Sequence, residues 1–282
     1  RFGQVMHLNV GDAVQVGDGA GDLQHAMVGP RAQVHLTHRR AHEGLRVVAE
    51  GVVEIELLGQ TVNAYTDPES GRGLPALLRA ISAIAGLRRL RFVTSHPRNF
   101  GDDLVAAMAE CGPVCPSLHL PFQSGSDRIL RRMKRQYTRA EYLELVGKLR
   151  KAIPGITLSA DIIVGFPGET EEDFLETMSL VEEVGFGSIF AFTYSPRPMT
   201  AAGRWEQDVP VTVAQERLAR LNDRQQDLQL AANERRVGEV LEVLVEGADR
   251  TGTKVSGRTP ANQLVHVDGI PGTAPGTFVR VV

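Results

Sequence analysis

From about residue 46 onward, short β-rich runs alternate with longer segments in which apolar residues recur every three or four positions. This helical spacing is clear in Leu74, Leu77, Leu78, Ile81 and Ile84. The β-rich runs predict strands at 52–58, 90–94, 118–121, 156–164 and 188–194. Strands separated by helices form repeated βαβ units, which predict an α/β fold with a parallel sheet.

The end of the chain has a different pattern. A long helix is predicted at 213–237, and four short β runs joined by Gly and Pro turns follow it. We therefore expect an atypical, poorly ordered segment at 1–45, a partial barrel at 46–212, a connecting helix at 213–237 and a small antiparallel β domain at 238–282.

Composition limits the function classes. The net charge of −3 gives no overall basic field, so any RNA contact must come from a local patch. The only two cysteines, Cys111 and Cys115, cannot complete a four-sulfur metal site, and we interpret them as ordinary thiols in a reducing cytoplasm. No apolar run is long enough to cross a membrane. We expect a cytoplasmic monomer and, since residue 1 is Arg rather than Met, a fragment of a longer product.

Two groups of basic or metal-ligating residues leave alternatives open. His35, His38 and His42 would share a face and could bind a metal if their segment were helical, although a solvated segment is the favoured interpretation. The long helix carries several arginines, which form either a solvated face or an RNA-facing one. They are Arg217, Arg220, Arg224, Arg235 and Arg236.

Polar residues follow each predicted strand, where the carboxyl ends of parallel strands bind ligands. They are Gln60, Thr61, Asn63, Thr94, Ser95, His96, Gln123, Ser124, Ser126, Glu169, Tyr194, Ser195 and Arg197, and Asp161 lies within the fourth strand. Gly125, Gly165 and Gly168 would let backbone amides approach a ligand. This rim suits a polar zwitterion that carries a ribose and an adenine.

Several rim residues have a structural alternative. Asp161 either binds a ligand or pairs inside the barrel, and Glu169 is either a ligand or an acid of the first helical turn. His119, in an apolar strand, is interpreted as a satisfied core histidine, and His96, before a proline, as a turn residue.

Five ordered motifs resemble the radical S-adenosylmethionine methylthiotransferases from about residue 46 to the end. They are Leu-Leu-Gly-Gln-Thr-Val-Asn-Ala-Tyr at 57–65, Thr-Ser-His-Pro at 94–97, His-Leu-Pro-Phe-Gln-Ser-Gly-Ser-Asp at 119–127, Gly-Phe-Pro-Gly-Glu-Thr at 165–170 and Tyr-Ser-Pro-Arg-Pro at 194–198. The third motif resembles the tRNA branch, the 2-methylthio-dimethylallyladenosine synthases. The β domain resembles the family's tRNA-holding TRAM domain.

The resemblance implies a partial radical-SAM barrel that lacks its first strand, with S-adenosylmethionine and two 4Fe–4S clusters as cofactors. It implies a deoxyadenosyl radical that abstracts hydrogen from carbon 2 of a modified adenosine in the anticodon stem-loop of tRNA, and delivery of the methylthio group by a second cluster. By match, the cofactor-binding residues are Gln60, Asn63, Ser95, Gln123, Ser124, Gly125, Ser126, Asp161, Gly165, Glu169 and Arg197.

One departure from the family is large. The family carries a Cys-x-x-x-Cys-x-x-Cys loop after its first barrel strand, whereas no cysteine precedes Cys111 in this chain. Without thiolates no cluster forms, so we expect this chain to be inactive alone. The alternatives are a non-catalytic tRNA-binding remnant, or a cluster-free, metal-dependent barrel enzyme that uses the histidines at 35–42.

Overall fold

The computed structural model describes residues 25–28, 31–35, 51–59, 61–67, 70–93, 95–198, 200–248, 254–268 and 273–282. Seven strands precede the long helix: β1 (His25–Val28), β2 (Arg31–His35), β3 (Glu54–Leu58), β4 (Arg89–Phe92), β5 (Ser117–His119), β6 (Thr157–Val164) and β7 (Ser188–Thr193). Six helices accompany them in the described chain: α1 (Leu74–Ser82), α2 (Asp102–Glu110), α3 (Asp127–Arg132), α4 (Arg139–Ala152), α5 (Glu171–Val184) and α6 (Val211–Glu234).

Strands β2 to β7 lie side by side in chain order and run parallel. β2, β3 and β4 form one ladder, and β5, β6 and β7 form another. Leu90 joins the two ladders, since its N–H donates to the Pro113 carbonyl at 2.7 Å and its carbonyl accepts from the Cys115 N–H at 2.9 Å. The predicted α/β fold with a parallel sheet is confirmed.

One detail of the predicted barrel differs. No strand was expected before residue 46, yet β2 pairs in parallel with β3 from Arg31↔Glu54 to His35↔Leu58. β1 adds an antiparallel strand to its outer edge. The physical reason is the open edge of β3, whose unpaired N–H and C=O groups favour a partner even where the sequence shows no sustained period.

The helix starts follow the capping residues. Capping boxes form at two helix starts, with Thr138 and Glu141 at the start of α4 and Thr170 and Asp173 at the start of α5. α1 ends at Ser82, although the helical spacing of apolar residues continues to Ile84. None of the described helices is both long and apolar enough to span a bilayer.

The two faces of the parallel strands differ in chemistry. Along β6, every second residue is buried against the helices, namely Leu158, Ala160, Ile162 and Val164, each no more than 2% exposed. The intervening residues, which include Ser159 and Asp161, are half-buried on the opposite face. This alternation gives the barrel an apolar outer layer and a concave, largely polar interior.

Four strands after α6 form the predicted antiparallel β module: β8 (Leu241–Ala248), β9 (Lys254–Arg258), β10 (Leu264–Asp268) and β11 (Phe278–Val281). They are ordered β10-β9-β8-β11. Arg89 donates to the Arg258 carbonyl at 2.7 Å, and Arg91 donates to the Thr259 carbonyl at 2.8 Å. Because Arg89 begins β4, the module covers the amino edge of the parallel strands.

A buried carboxylate organises this amino edge. Glu54, the first residue of β3, is fully buried and pairs with Arg31 at 2.7 Å, Arg91 at 3.3 Å and Arg89 at 3.8 Å. Its oxygens accept no well-formed hydrogen bond from the described residues, so the pairing is mainly Coulombic. In this dry setting each charge depends on the others for neutralisation.

We expect the Glu54→Gln variant to lose about 3 to 5 kcal/mol of unfolding free energy, because it leaves buried guanidinium groups uncompensated. Glu110→Gln breaks the exposed ion pair with Arg79 and should cost at most about 1 kcal/mol. Urea unfolding followed by circular dichroism measures both. Equal losses in the two variants would contradict a structural role for Glu54.

Candidate functional site

The loops that follow the parallel strands lie along one edge, opposite the β module. Asn63 follows β3, Ser95 follows β4, Gln123 follows β5, Gly165 follows β6 and Tyr194 follows β7. The structure therefore brings together the loops that sequence reasoning assigned to one rim. Gln60 and Thr94 belong to the same expectation but lie outside the described residues.

Asn63 ties two rim loops together. Its side-chain amide donates to the His96 carbonyl at 2.8 Å, and its amide oxygen accepts from the His96 N–H at 2.9 Å. The His96 ring accepts from the Arg98 N–H at 3.3 Å, as expected for a turn residue. Asn63 thus fixes the shape of the rim between β3 and β4.

The loop at 123–126 is anchored on α5. Gln123 has a left-handed φ of 68°, and its carbonyl accepts from the Ile163 N–H, which joins the loop to β6. The Gly125 N–H donates to Thr177 Oγ1 at 2.9 Å. A Cβ on Gly125 would lie 2.5 Å from the Glu176 carbonyl oxygen, so this contact requires glycine.

Asp173 fixes the same loop from the first turn of α5. Its carboxylate accepts from Ser126 Oγ at 2.6 Å, from the Arg128 guanidinium and from the Thr170 N–H at 2.8 Å. Although burial alone would raise the pKa of Asp173, the hydrogen bonds from Arg128, Ser126 and Thr170 lower it to about 2. The Ser126 hydroxyl therefore donates its proton within the protein.

Glu169 is a buried carboxylate beneath the rim. Glu169 Oε2 accepts from the Gly165 N–H at 2.6 Å and pairs with Arg217 Nη1 of α6 at 2.8 Å. Burial raises the pKa of Glu169, while the Gly165 N–H and Arg217 act in the opposite direction. Glu169 precedes α5, so it is not the acid of the first helical turn that one interpretation expected.

The arginines of α6 are occupied by acids of α5. Arg220 pairs with Glu171 at 2.7 Å, Arg224 pairs with Glu182 at 2.7 Å, and Arg217 is buried. The RNA-facing interpretation does not hold for these three arginines. Sequence reasoning missed the pairing because the helices are about forty positions apart along the chain.

The concave interior holds a His–Asp pair beside two exposed aromatic rings. His119 Nε2 lies 3.3 Å from Asp161 Oδ1, and His119 Nδ1 lies 3.0 Å from Ser159 Oγ. His119 is thus satisfied, as expected, and Asp161 pairs inside the barrel. Phe190 and Phe192 of β7 share this face and are 52% and 56% exposed. These two phenylalanines are two positions apart on β7, so strand alternation could have placed them on one face, but the sequence analysis did not use this pattern.

Three buried polar atoms at the rim lack a hydrogen-bond partner among the described residues. They are the Ser95 hydroxyl, the Tyr194 hydroxyl and Glu169 Oε1. A buried polar atom without a partner is costly, so such atoms favour a ligand that satisfies them. The rim therefore suits a polar molecule with both donors and acceptors. Arg197 is exposed at its outer side.

The residues present do not fit an iron–sulfur cluster. Both cysteines are buried thiols that precede β5, towards the amino edge. Burial raises the pKa of Cys115 to about 11, which keeps it protonated and a poor ligand. No group of three or more His, Cys, Asp or Glu side chains in the described ranges could hold a metal ion.

Sequence comparison identifies relatives of this chain among known proteins. The chain is 48% identical over 237 residues to a tRNA-2-methylthio-N(6)-dimethylallyladenosine synthase of Moorella thermoacetica, covering 83% of this chain and 53% of the relative. It is also 48% identical to the Thermus thermophilus enzyme of the same name, covering 81% of this chain and 49% of the relative. The stated resemblance is confirmed, and the chain spans about half the length of these relatives.

Fold comparison gives the same class. Coproporphyrinogen III oxidase from Escherichia coli, a radical SAM enzyme, superposes with a TM-score of 0.50 at 16% identity, covering 78% of this chain and 58% of that one. This likeness concerns the fold alone. The family model of the Radical SAM superfamily matches residues 24–181, more than half of the chain and including β2. The chain therefore belongs to the radical SAM superfamily.

Proposed function

We propose that this chain is the barrel and RNA-binding β module of a tRNA methylthiotransferase. The substrate is N6-dimethylallyladenosine next to the anticodon, and the group added to its carbon 2 is a methylthio group. The observation that carries this proposal is the 48% identity to the named synthases over 81–83% of this chain. The chain acts as a cytoplasmic monomer.

The rim residues fit S-adenosylmethionine, a cofactor of the superfamily. Ser95, Tyr194 and Glu169 supply the hydroxyls and the carboxylate oxygen that have no partner in the described protein. By the family resemblance, Gln60 and Arg197 complete the binding set, while the 123–126 and 165–169 loops shape the rim. When bound, this cofactor supplies a reactive sulfonium. The role of the protein is to hold the adenosyl group at the rim and to keep water away from it.

The other cofactor of the superfamily, a 4Fe–4S cluster, has no ligand set in this chain. The matched range of 24–181 includes the first barrel strand and the segment after it, yet its only cysteines are Cys111 and Cys115. We derive no catalytic step through the cluster. This observation favours a second candidate function, a non-catalytic protein that binds S-adenosylmethionine and tRNA. The metal-dependent alternative rests on His35, His38 and His42 sharing a helical face. His35 ends strand β2 rather than lying in a helix, and His38 and His42 lie outside the described residues.

Removing the unpartnered rim hydroxyls should separate ligand binding from stability. We expect Tyr194→Phe and Ser95→Ala each to weaken S-adenosylmethionine binding about 5- to 20-fold, because each loses one hydrogen bond to the ligand. Unfolding free energy should stay equal or rise, since a buried orphan group is removed. Titration calorimetry and urea unfolding provide the two readouts.

Tyr142→Phe is the matched control. The Tyr142 hydroxyl donates to the Leu120 carbonyl at 2.9 Å in the core, so its loss should cost about 1 kcal/mol of stability and leave ligand affinity unchanged. Unchanged affinity in both rim variants would place S-adenosylmethionine elsewhere. Absence of binding to the wild-type chain would refute a rim site altogether.

Counting the bound iron tests whether this chain can hold a 4Fe–4S cluster. After anaerobic reconstitution with iron and sulfide, followed by desalting, we expect far less than one cluster per chain and no stable visible charge-transfer bands, because no cysteine set is available. Elemental analysis of the same sample also tests the metal-dependent alternative. A stable stoichiometric cluster would overturn the expected inactivity of this chain.

A further inference from the structure

The most basic stretch of the chain lies on α3 and the turn that follows it. Lys and Arg occupy six of the twelve positions from 128 to 139, and no Asp or Glu occurs there. This contrasts with the overall net charge of −3. The six residues are Arg128, Arg131, Arg132, Lys134, Arg135 and Arg139.

Two of the six are neutralised inside the protein. Arg128 pairs with Asp173, and Arg139 pairs with Glu183 at 3.0 Å. The other four have no acidic partner among the described residues, and we call them the basic ridge: Arg131, Arg132, Lys134 and Arg135. Arg131 and Arg132 donate only to backbone carbonyls, those of Asp127 and Pro167. Arg135 Nε is buried without a partner.

The ridge borders the rim. Arg132 Nε donates to the Pro167 carbonyl at 3.0 Å, in the loop after β6, and its guanidinium lies 4.9 Å from the Trp205 ring centroid. On the other side, the Tyr137 ring contacts the His96 ring at a centroid distance of 5.5 Å. The Tyr137 hydroxyl donates to the Phe122 carbonyl at 3.1 Å. The ridge thus lies between loops that follow β4, β5 and β6.

The local electrostatics agree with this placement. Burial lowers the pKa of His96, and the positive charges of Arg135 and Arg98 lower it further. The His96 imidazole next to the ridge therefore stays neutral, and the positive charge at this place comes from the arginines. Lys134 is exposed and has a left-handed φ of 56°, which is rare for a residue other than glycine.

The β module, by comparison, has few free cations. Lys254 pairs with Asp268 at 2.9 Å, and Arg258 pairs with Glu246 at 3.2 Å. The module also lies at the amino edge, where Arg89 and Arg91 hold it. Among the described residues, the ridge is therefore the main group of cations without an acidic partner, and it lies at the edge where a base would enter the barrel.

We propose that the basic ridge binds the phosphate backbone of an RNA strand whose target base enters the rim. The inference rests on the proposed function and deepens it by assigning to the barrel an RNA contact of its own, beside that of the β module. Guanidinium and ammonium groups match the charge of backbone phosphates, and such contacts position a strand without reading its sequence. The exposed aromatic rings of Phe190 and Phe192 lie on the interior face that the base would reach.

The test is RNA binding by the full chain, measured by fluorescence anisotropy with a labelled tRNA anticodon stem-loop over a salt series. The ridge variant Arg131→Gln/Lys134→Gln should bind about tenfold more weakly, and its slope of log K against log salt should be smaller by about 1 to 2. Lys148→Gln/Lys151→Gln is the matched control, since it removes the same charge from the part of α4 nearest the amino edge. The control should change affinity less than about twofold.

Thermal unfolding and S-adenosylmethionine titration accompany each variant. Both should match the wild-type values in the ridge variant, which separates the ridge from the cofactor site. An equal loss of RNA affinity in the ridge and control variants would overturn the proposal, because it would indicate general charge attraction. If RNA affinity fell only in the variant Lys254→Gln/Arg280→Gln, the RNA contact would belong to the β module. That result would overturn the ridge assignment and leave the proposed function standing. Tighter binding to anionic lipid vesicles than to RNA would also overturn the ridge assignment.

Discussion

A single carboxylate, Asp173, sets the geometry of the rim and of the surface beside it. It accepts hydrogen bonds from Ser126 Oγ, from the Arg128 guanidinium and from the Thr170 N–H. These three donors come from the loop after β5, from α3 and from the start of α5, so one side chain joins three chain segments. The low pKa of Asp173, about 2, keeps it charged throughout the physiological range. Without this anchor, neither the 123–126 loop nor the direction of α3 would be defined.

The two ends of the parallel sheet differ in how their buried polar groups are paired. At the amino edge, the charges of Glu54, Arg89 and Arg91 are buried and the β module covers them, so this end is closed. At the carboxyl edge, buried hydroxyls of Ser95 and Tyr194 lack protein partners. The buried charges at the amino edge neutralise one another as ion pairs, whereas the hydroxyls at the carboxyl edge meet neither a charge nor a hydrogen-bond partner among the described residues, which favours ligand binding there. The closed end provides the stability that the open end does not.

Local signals predicted the fold well, whereas long-range pairings were invisible. The capping boxes of Thr138 and Thr170 are encoded within four residues each, and the β-rich run of β6 was found from the sequence. The pairing of Arg217 with Glu169, by contrast, depends on how α6 packs on α5. The strand β2 forms because β3 offers an open edge, which no local pattern reports. For the site, the rim loops were located correctly, but the packing of Gly125 against Thr177 was not foreseen.

The absence of cluster cysteines does not imply the loss of the other functions of the barrel. Contacts of Asn63, Asp173 and Glu169 hold the rim loops in place, and the basic ridge lies on α3 and the turn after it. None of these contacts involves a thiol. Cys115 lies near the opposite edge and remains protonated. Because ligand and RNA contacts depend on charge and hydrogen bonding, and radical chemistry depends on an electron supplied by a cluster, the two are physically separable. Under the proposed function, the elements for recognition therefore do not depend on the cluster cysteines that this sequence lacks.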